Sequence, residues 1–178
     1  MRPDTNEPRL FRTVVASPIG ELRLTSDGEA LVELYMESDG APAPAAVGTG
    51  AEVDDGEDAV LRLAREQLAA YFAGDLTAFD IPLAARGTPF QRRVWAALRS
   101  VPFGATVSYG EIARRIGSPA AVRAVGAANG RNPLPIVVPC HCVVGADGSL
   151  TGFGGGIARK QWLLAHEARV RGTELDLR

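Results

Sequence analysis

The nine-residue stretch Ile136-Val137-Val138-Pro139-Cys140-His141-Cys142-Val143-Val144 restricts this chain more than any other. Its β-branched residues favour extended, half-buried backbone. Pro139 fixes its own φ and biases Val138 toward extended geometry. The expected arrangement is a strand that gives way to a turn at Cys140, with a cysteine and a histidine side by side. A thiol attacks as its thiolate, and a neighbouring imidazole is the usual means of making one near neutral pH. Cys140 is therefore a candidate nucleophile.

Other readings of the same residues compete. Cysteine is among the most buried residue types, so a cysteine inside a Val/Ile run is by default core packing. Cys140, His141 and Cys142 could also be taken for a metal cluster. The only other histidine is His166, however, and the paired Cys-x-x-Cys spacing of a structural zinc site is lacking, so no metal is expected. A Cys140–Cys142 disulfide is disfavoured, because one intervening residue in extended backbone does not give the required geometry.

Charge divides the chain. Residues 1–87 hold seven Arg and no Lys against sixteen Asp and Glu, a net −9, whereas residues 88–178 carry a net +7. A thiol in the basic half suggests a polyanionic partner approaching that half. Met1 to Arg12 is polar and lacks the apolar core of a signal peptide. No apolar run approaches the length of a membrane span. With two cysteines, one of them placed for chemistry, a reducing cytoplasm is the expected compartment.

The first half reads as a small α/β unit. Strands are expected at Leu10–Ala16, Glu21–Ser26 and Leu31–Glu37, separated by turn signals at Ser17-Pro18-Ile19-Gly20 and Asp27-Gly28. Ser38–Gly56 is a Gly/Ala/Pro/Asp-rich connection. A helix follows over about Asp58–Phe72, with Leu61, Ala64, Leu68 and Tyr71 at core spacing and Gly74 ending it. Phe79–Leu83 reads as another strand. No group in this half presents itself for catalysis. The joint between domains is placed at Ala84-Ala85-Arg86-Gly87, giving units 1–86 and 87–178.

The second half is helix-rich. Thr88 with Gln91 makes a capping box, and Pro89 takes the first helical position before the apolar face of Val94, Trp95 and Leu98. Ser108 with Glu111 makes a second box, opening a short helix from Tyr109 to Ile116 that Gly117 stops. Ser118 is expected to cap a third helix from Pro119 to about Asn129, with Gly130 behind it. Two short helices in a basic region suggest a helix-turn-helix. The second is poor in side chains able to reach base edges. Ala120, Ala121, Ala124, Ala127, Ala128 and Gly126 surround a single long cation, Arg123. Such a face suits close approach to a minor groove with Arg123 inserted, and equally suits tight helix packing.

Together these residues resemble the O6-alkylguanine-DNA alkyltransferases, also called methylated-DNA–protein-cysteine methyltransferases. The resemblance runs from about Gly87 to Glu167. It is carried by Phe90-Gln91-Arg92-Arg93-Val94-Trp95, Val107-Ser108-Tyr109-Gly110-Glu111-Ile112-Ala113, Arg123-Ala124-Val125-Gly126 and Asn132-Pro133. It continues through Ile136–His141, Gly152-Phe153-Gly154-Gly155-Gly156 and Trp162-Leu163-Leu164-Ala165-His166-Glu167. It implies a ribonuclease H-like first domain and a winged-helix-like second domain containing the helix-turn-helix. It also implies a single, irreversible transfer of an alkyl group from O6 of guanine, or O4 of thymine, to Cys140 after the damaged nucleotide is flipped from the duplex.

The resemblance further assigns roles. Cys140 is the acceptor, His141 the base acting through a water, and Glu167 the group that orients and charge-stabilises the imidazole. Asn132 braces the turn. Tyr109 helps rotate the target phosphate and protonate the leaving guanine. Arg123 fills the gap left by the flipped base, with Ser108, Ala121, Ala124 and Gly126 along the DNA-facing surface. Backbone groups at Cys140 and Val143 bind the guanine edge, while Pro135, Phe153, Gly154 and Gly155 shape the pocket. Double-stranded DNA is the implied partner of a monomer that needs no cofactor and lies in the cytoplasm on the nucleoid.

The chain departs from the family at two positions. Cys142 stands where the family's usual Pro-Cys-His-Arg has arginine, and Phe153 where many relatives have tyrosine. Turn geometry should present Cys140 to the pocket and leave Cys142 in an apolar surround beside Val143 and Val144, without a cationic partner. The zinc site of some relatives is not expected, because the first half contains neither Cys nor His. Two further readings of the same residues are a non-catalytic lesion-binding module and a thiol hydrolase using Cys140 and His141. Turnover separates them: none for the module, one for a transferase, many for a hydrolase.

Overall fold

The computed structural model describes residues 9–36 and 58–174. The Ser38–Gly56 connection lies outside the described residues. In the first domain, β1 (Phe11–Val15), β2 (Leu22–Ser26) and β3 (Leu31–Met36) form an antiparallel sheet in sequential order. One face of it packs on α1 (Ala59–Ala73) through Leu22, Leu24, Leu61, Ala64, Leu68 and Tyr71, all buried. Asp58 caps α1 by accepting the Leu61 N–H at 2.7 Å, and Gly74 closes it in the left-handed region at φ 87°.

Phe79–Leu83 is not a strand. It makes one parallel bridge, Leu31 to Leu83, with the Leu31 N–H donating to the Pro82 carbonyl at 2.8 Å. Pro82 has no N–H to extend a ladder.

The second domain contains α2 (Pro89–Arg99), β4 (Val107–Ser108), α3 (Tyr109–Arg115), α4 (Val122–Gly130), β5 (Val143–Val144) and α5 (Ile157–Arg171). The Thr88–Gln91 capping box is complete. The second box is only half formed. Ser108 accepts the Glu111 N–H, but the Glu111 carboxylate turns to Arg115 one helical turn on. The expected Ser118 cap is also corrected, since α4 begins at Val122 without a side-chain cap. Residues 118–121 form a turn in which the Ser118 carbonyl, not its hydroxyl, accepts the Ala121 N–H at 2.9 Å. Pro119 suits a turn as well as a first helical turn. Trp95 ties α2 to α4 by donating from Nε1 to the Ala128 carbonyl at 2.9 Å.

The strand expected before Cys140 is absent as well. Residues 134–138 form a tight turn closed by the Val138 N–H on the Leu134 carbonyl at 2.8 Å. Cys140–Cys142 is a single 3-10 turn, and only then does β5 begin, pairing in parallel with β4. The apolar run is buried for packing rather than for ladder pairing: Leu134, Ile136, Val137 and Val138 all lie in the core.

The two domains meet at this turn. Leu34 of β3 donates to the Pro133 carbonyl at 2.8 Å, and Arg159 of α5 donates from Nε to the Ile19 carbonyl at 2.7 Å. No described helix is long and apolar enough to cross a membrane.

Candidate active site

Three asparagine contacts shape the nucleophile turn. Asn132 donates from Nδ2 to the Val138 carbonyl at 2.8 Å and accepts the Leu134 N–H at 3.0 Å. Asn129 donates to the Cys140 carbonyl at 3.3 Å. Within the turn Ile136 adopts φ 73°, where a β-branched residue is strained. Asn132 thus ties Leu134 and Val138, the two ends of the turn, together.

Cys140 is 4% exposed, at the wall of a pocket of about 180 Å³. Asn132, Pro135, Phe153, Gly154 and Gly155 line it together with Leu34, Tyr35 and Met36 of β3. The second domain alone would leave that wall open. A Cβ at Gly155 would lie 2.8 Å from the side chains of Met36 and Phe153, so any larger residue would have to displace them. Val143 is not among the lining residues. It is fully buried, and its carbonyl accepts from the Lys160 ammonium.

Behind the turn, His141 Nε2 and Glu167 Oε1 are 2.6 Å apart, both side chains buried. The same Oε1 accepts from the Tyr71 hydroxyl at 2.8 Å, and Oε2 accepts the Gly104 N–H at 2.8 Å. Burial alone would neutralise this carboxyl. Bonds from His141, Gly104 and Tyr71 outweigh it and hold the Glu167 pKa below its usual value. Burial likewise opposes a charged His141, but the Cys142 sulfur and Glu167 outweigh it and raise the imidazole's proton affinity well above normal. With Nε2–H committed to Glu167, Nδ1 is the free base position; it is buried and has no hydrogen-bond partner among the described residues. Burial pushes the Cys140 thiol up, opposed by His141, by a hydrogen bond from Asn132 and by Lys160. The thiol is thus held protonated until a base takes its proton.

Cys142 does not sit in the purely apolar surround expected of it. Its sulfur lies in a buried cluster with His141 and Glu167, whose ligand-type atoms are all within 4.8 Å of one another. In principle the three could hold a metal ion. Nε2 and Oε1, however, are already committed to each other, which makes the arrangement a hydrogen-bonded relay. Cys142 also lines a second cavity, of about 310 Å³, on the opposite side of the turn, with Tyr71, Phe103, Arg99 and Glu167.

The surface of α4 bears only part of the small-residue face expected of it, since Ala128 is buried and Ala120 and Ala121 precede the helix. Arg123, Ala124 and Ala127 are exposed, while Val125, Ala128 and Asn129 are buried. Ser108, Ala121 and Gly126 are half-buried, and a Cβ at Gly126 would lie 3.8 Å from the Tyr109 ring. Thr151 donates to the Tyr109 hydroxyl at 2.9 Å, joining α3 to the loop before α5.

Sequence reasoning missed two residues. Helical spacing alone assigns Tyr71 to core packing. Its hydroxyl, which a buried tyrosine must satisfy, was the available signal. Lys160 is fully buried and donates to the carbonyls of Val143 and Thr151, the latter at 2.8 Å. Its spacing from Leu163, Leu164 and Glu167 already placed it on the inner face of α5.

Comparison with known proteins shows the family. Residues 10–85 match the ribonuclease-like domain, and residues 89–169 the DNA-binding domain, of 6-O-methylguanine DNA methyltransferase. A methylated-DNA–protein-cysteine methyltransferase of Mycolicibacterium paratuberculosis is 53% identical over 94% of this chain and 97% of that protein. One of Salmonella typhimurium is 41% identical over 89% and 96%. The crystal structure of Mycobacterium tuberculosis OGT in complex with DNA superposes with a TM-score of 0.81 at 48% identity, covering 90% of this chain and 94% of that one. With both domains matched in order and about half the residues shared with such relatives, the chain belongs to the 6-O-methylguanine DNA methyltransferase family.

Proposed function

We propose that this protein repairs DNA by direct reversal, moving one alkyl group from O6 of guanine, or O4 of thymine, to Cys140. The observation that carries the reading is a buried cysteine at the wall of a pocket, followed in sequence by a histidine bonded to a buried carboxylate. The acidic first domain is assigned to residues 1–86 and the DNA-binding, acceptor domain to residues 87–178.

The protein approaches duplex DNA from the minor groove with α4. Its small exposed residues admit close contact, Ser108, Ala121, Ala124 and Gly126 follow the backbone, and Arg123 replaces the extruded base. Extrusion costs a few kcal/mol of unstacking, less for a damaged pair. Pro135, Phe153, Gly154 and Gly155 then enclose the lesion beside Cys140.

His141 Nδ1 takes the thiol proton through a water, and Glu167 stabilises the imidazolium. The thiolate attacks the alkyl carbon. A carbon–sulfur bond forms, the O6–carbon bond breaks, and its electron pair stays on guanine, which Tyr109 helps to protonate. The thioether has no carbonyl for water to attack, so the protein is consumed. It acts as a monomer in the cytoplasm, on the nucleoid, without cofactor or metal.

Mass spectrometry after incubation with O6-methylguanine duplex tests this. One methyl group per chain, on Cys140, is expected. Repeated turnover would indicate a hydrolase, and binding without transfer a lesion-recognition module.

A further inference from the structure

We infer that Tyr71, from the first domain, is a positioning residue of the acceptor site, holding Glu167 in the geometry that the His141 relay requires. The inference rests on the alkyl-transfer reading and adds to it a contribution from the first domain.

The geometry is specific. Oε1 of Glu167 serves two partners, Tyr71 at 2.8 Å and His141 at 2.6 Å, and Gly104 holds Oε2. A carboxylate end rotates over a broad, roughly two-fold well unless both oxygens are held. Tyr71 and Gly104 hold one each. The tyrosine is itself fixed. Its ring lies 5.3 Å from Phe79, 6.0 Å from Phe103 and 5.3 Å from His166. Its backbone carbonyl accepts from His166 Nε2 at 2.8 Å, and Arg169 donates to the other nitrogen of that histidine. Packing alone would place phenylalanine here equally well. The hydroxyl is what reaches the relay.

Several other ionisable groups surround Glu167. His141 and Cys142 face it from the nucleophile turn, and Arg99 lines the cavity that Glu167 shares with Tyr71. His166 precedes it on α5, against the Tyr71 ring. Of these, Tyr71 is the neutral donor, and burial with the adjacent carboxylate keeps its phenol protonated. Losing that donor raises the proton affinity of Glu167, so the relay fails at a higher pH than in the wild type.

The test uses the full chain with Tyr71→Phe. Single-turnover transfer from O6-methylguanine duplex should slow about tenfold at neutral pH, with the acid limb of the pH–rate profile moved upward and DNA affinity unchanged. In a Glu167→Gln background the same substitution should change the rate less than about twofold. A difluorotyrosine at position 71 keeps the ring and donates more strongly, so the acid limb should move downward. Cys140 alkylation by iodoacetamide across pH gives the same shifts without DNA. If wild-type protein takes no alkyl group from DNA, the repair reading fails, and the iodoacetamide profiles alone decide the role of Tyr71. Wild-type profiles in both variants, or an equal loss in the Glu167→Gln background, would overturn the inference.

Discussion

The two sides of the nucleophile turn differ in what their cysteines meet. Cys140 borders a pocket between β3 and the glycine loop, with Asn132 and Asn129 bracing the backbone around it. Cys142, two residues on, borders the rear cavity and shares it with Glu167 and Tyr71. Both thiols are buried and free; Cys142 lies in the cluster with His141 and Glu167, while the His141 charge also favours the Cys140 thiolate. Proximity to a base therefore does not choose between them. Nor does cavity size, since both border one; what differs is the lining, with β3 and the glycine loop on the Cys140 side and the relay residues Tyr71 and Glu167 on the Cys142 side.

The sharpest way to break this comparison is to remove each thiol. Cys140→Ser should abolish transfer while sparing DNA binding, whereas Cys142→Ser should keep a rate within a few-fold of wild type. Peptide mapping that found the alkyl group on Cys142, or two groups on one chain, would erase the distinction. The relay comes next. His141→Gln should slow transfer by about 10²- to 10⁴-fold, the usual contribution of a positioned base, and Glu167→Gln by less, since the imidazole remains. An unchanged dependence of thiol reactivity on pH in both variants would remove the relay from the mechanism.

Effects on the front side alone should be smaller. Arg123→Ala should lower the transfer rate roughly tenfold at limiting DNA without altering the fold, because in the proposed mechanism Arg123 offsets the cost of base extrusion. Normal repair by that variant would reassign α4. The smallest effect belongs to stability. Burial tends to raise the Glu167 carboxyl, but His141, Gly104 and Tyr71 hold it lower in the fold than in the unfolded chain, where it titrates near 4.5. Its contribution is thus complete above that pH and is lost as pH falls through the folded value. Thermal melts between about pH 6 and pH 3 should show wild type losing more stability than Glu167→Gln. Parallel losses would mean that the pair does not stabilise the fold.

What the sequence revealed follows the same front-to-rear division. The front of the site could be read early, because caps, glycines and a Pro-Cys-His run have local meaning. The Thr88–Gln91 box and the Gly74 stop formed as local chemistry suggests, whereas the Ser118 cap and the second half of the Ser108–Glu111 box did not. The rear could not, because it depends on contacts between residues distant in the chain. Tyr71 and Glu167 are 96 positions apart, and nothing in helical spacing distinguishes a tyrosine packed in a core from one donating across a domain boundary. The strand expected before Cys140 failed for a related reason. A run of valine and isoleucine reports burial, and burial here is met by a turn whose polar groups Asn132 satisfies.

Ile136 is the one non-glycine residue with positive φ among the described residues. A left-handed backbone costs an L-residue roughly 1–2 kcal/mol. Its side chain is 2% exposed, and stripping a buried isoleucine to a small residue costs about 2–5 kcal/mol. Packing therefore outweighs strain, and the turn is held shut by its side chains against the preference of its own backbone. An enzyme that must release product and reset pays in speed for so stiff a mount. Under the proposed single transfer the site never has to reopen, so the nucleophile can be held as rigidly as a latch built to close a single time.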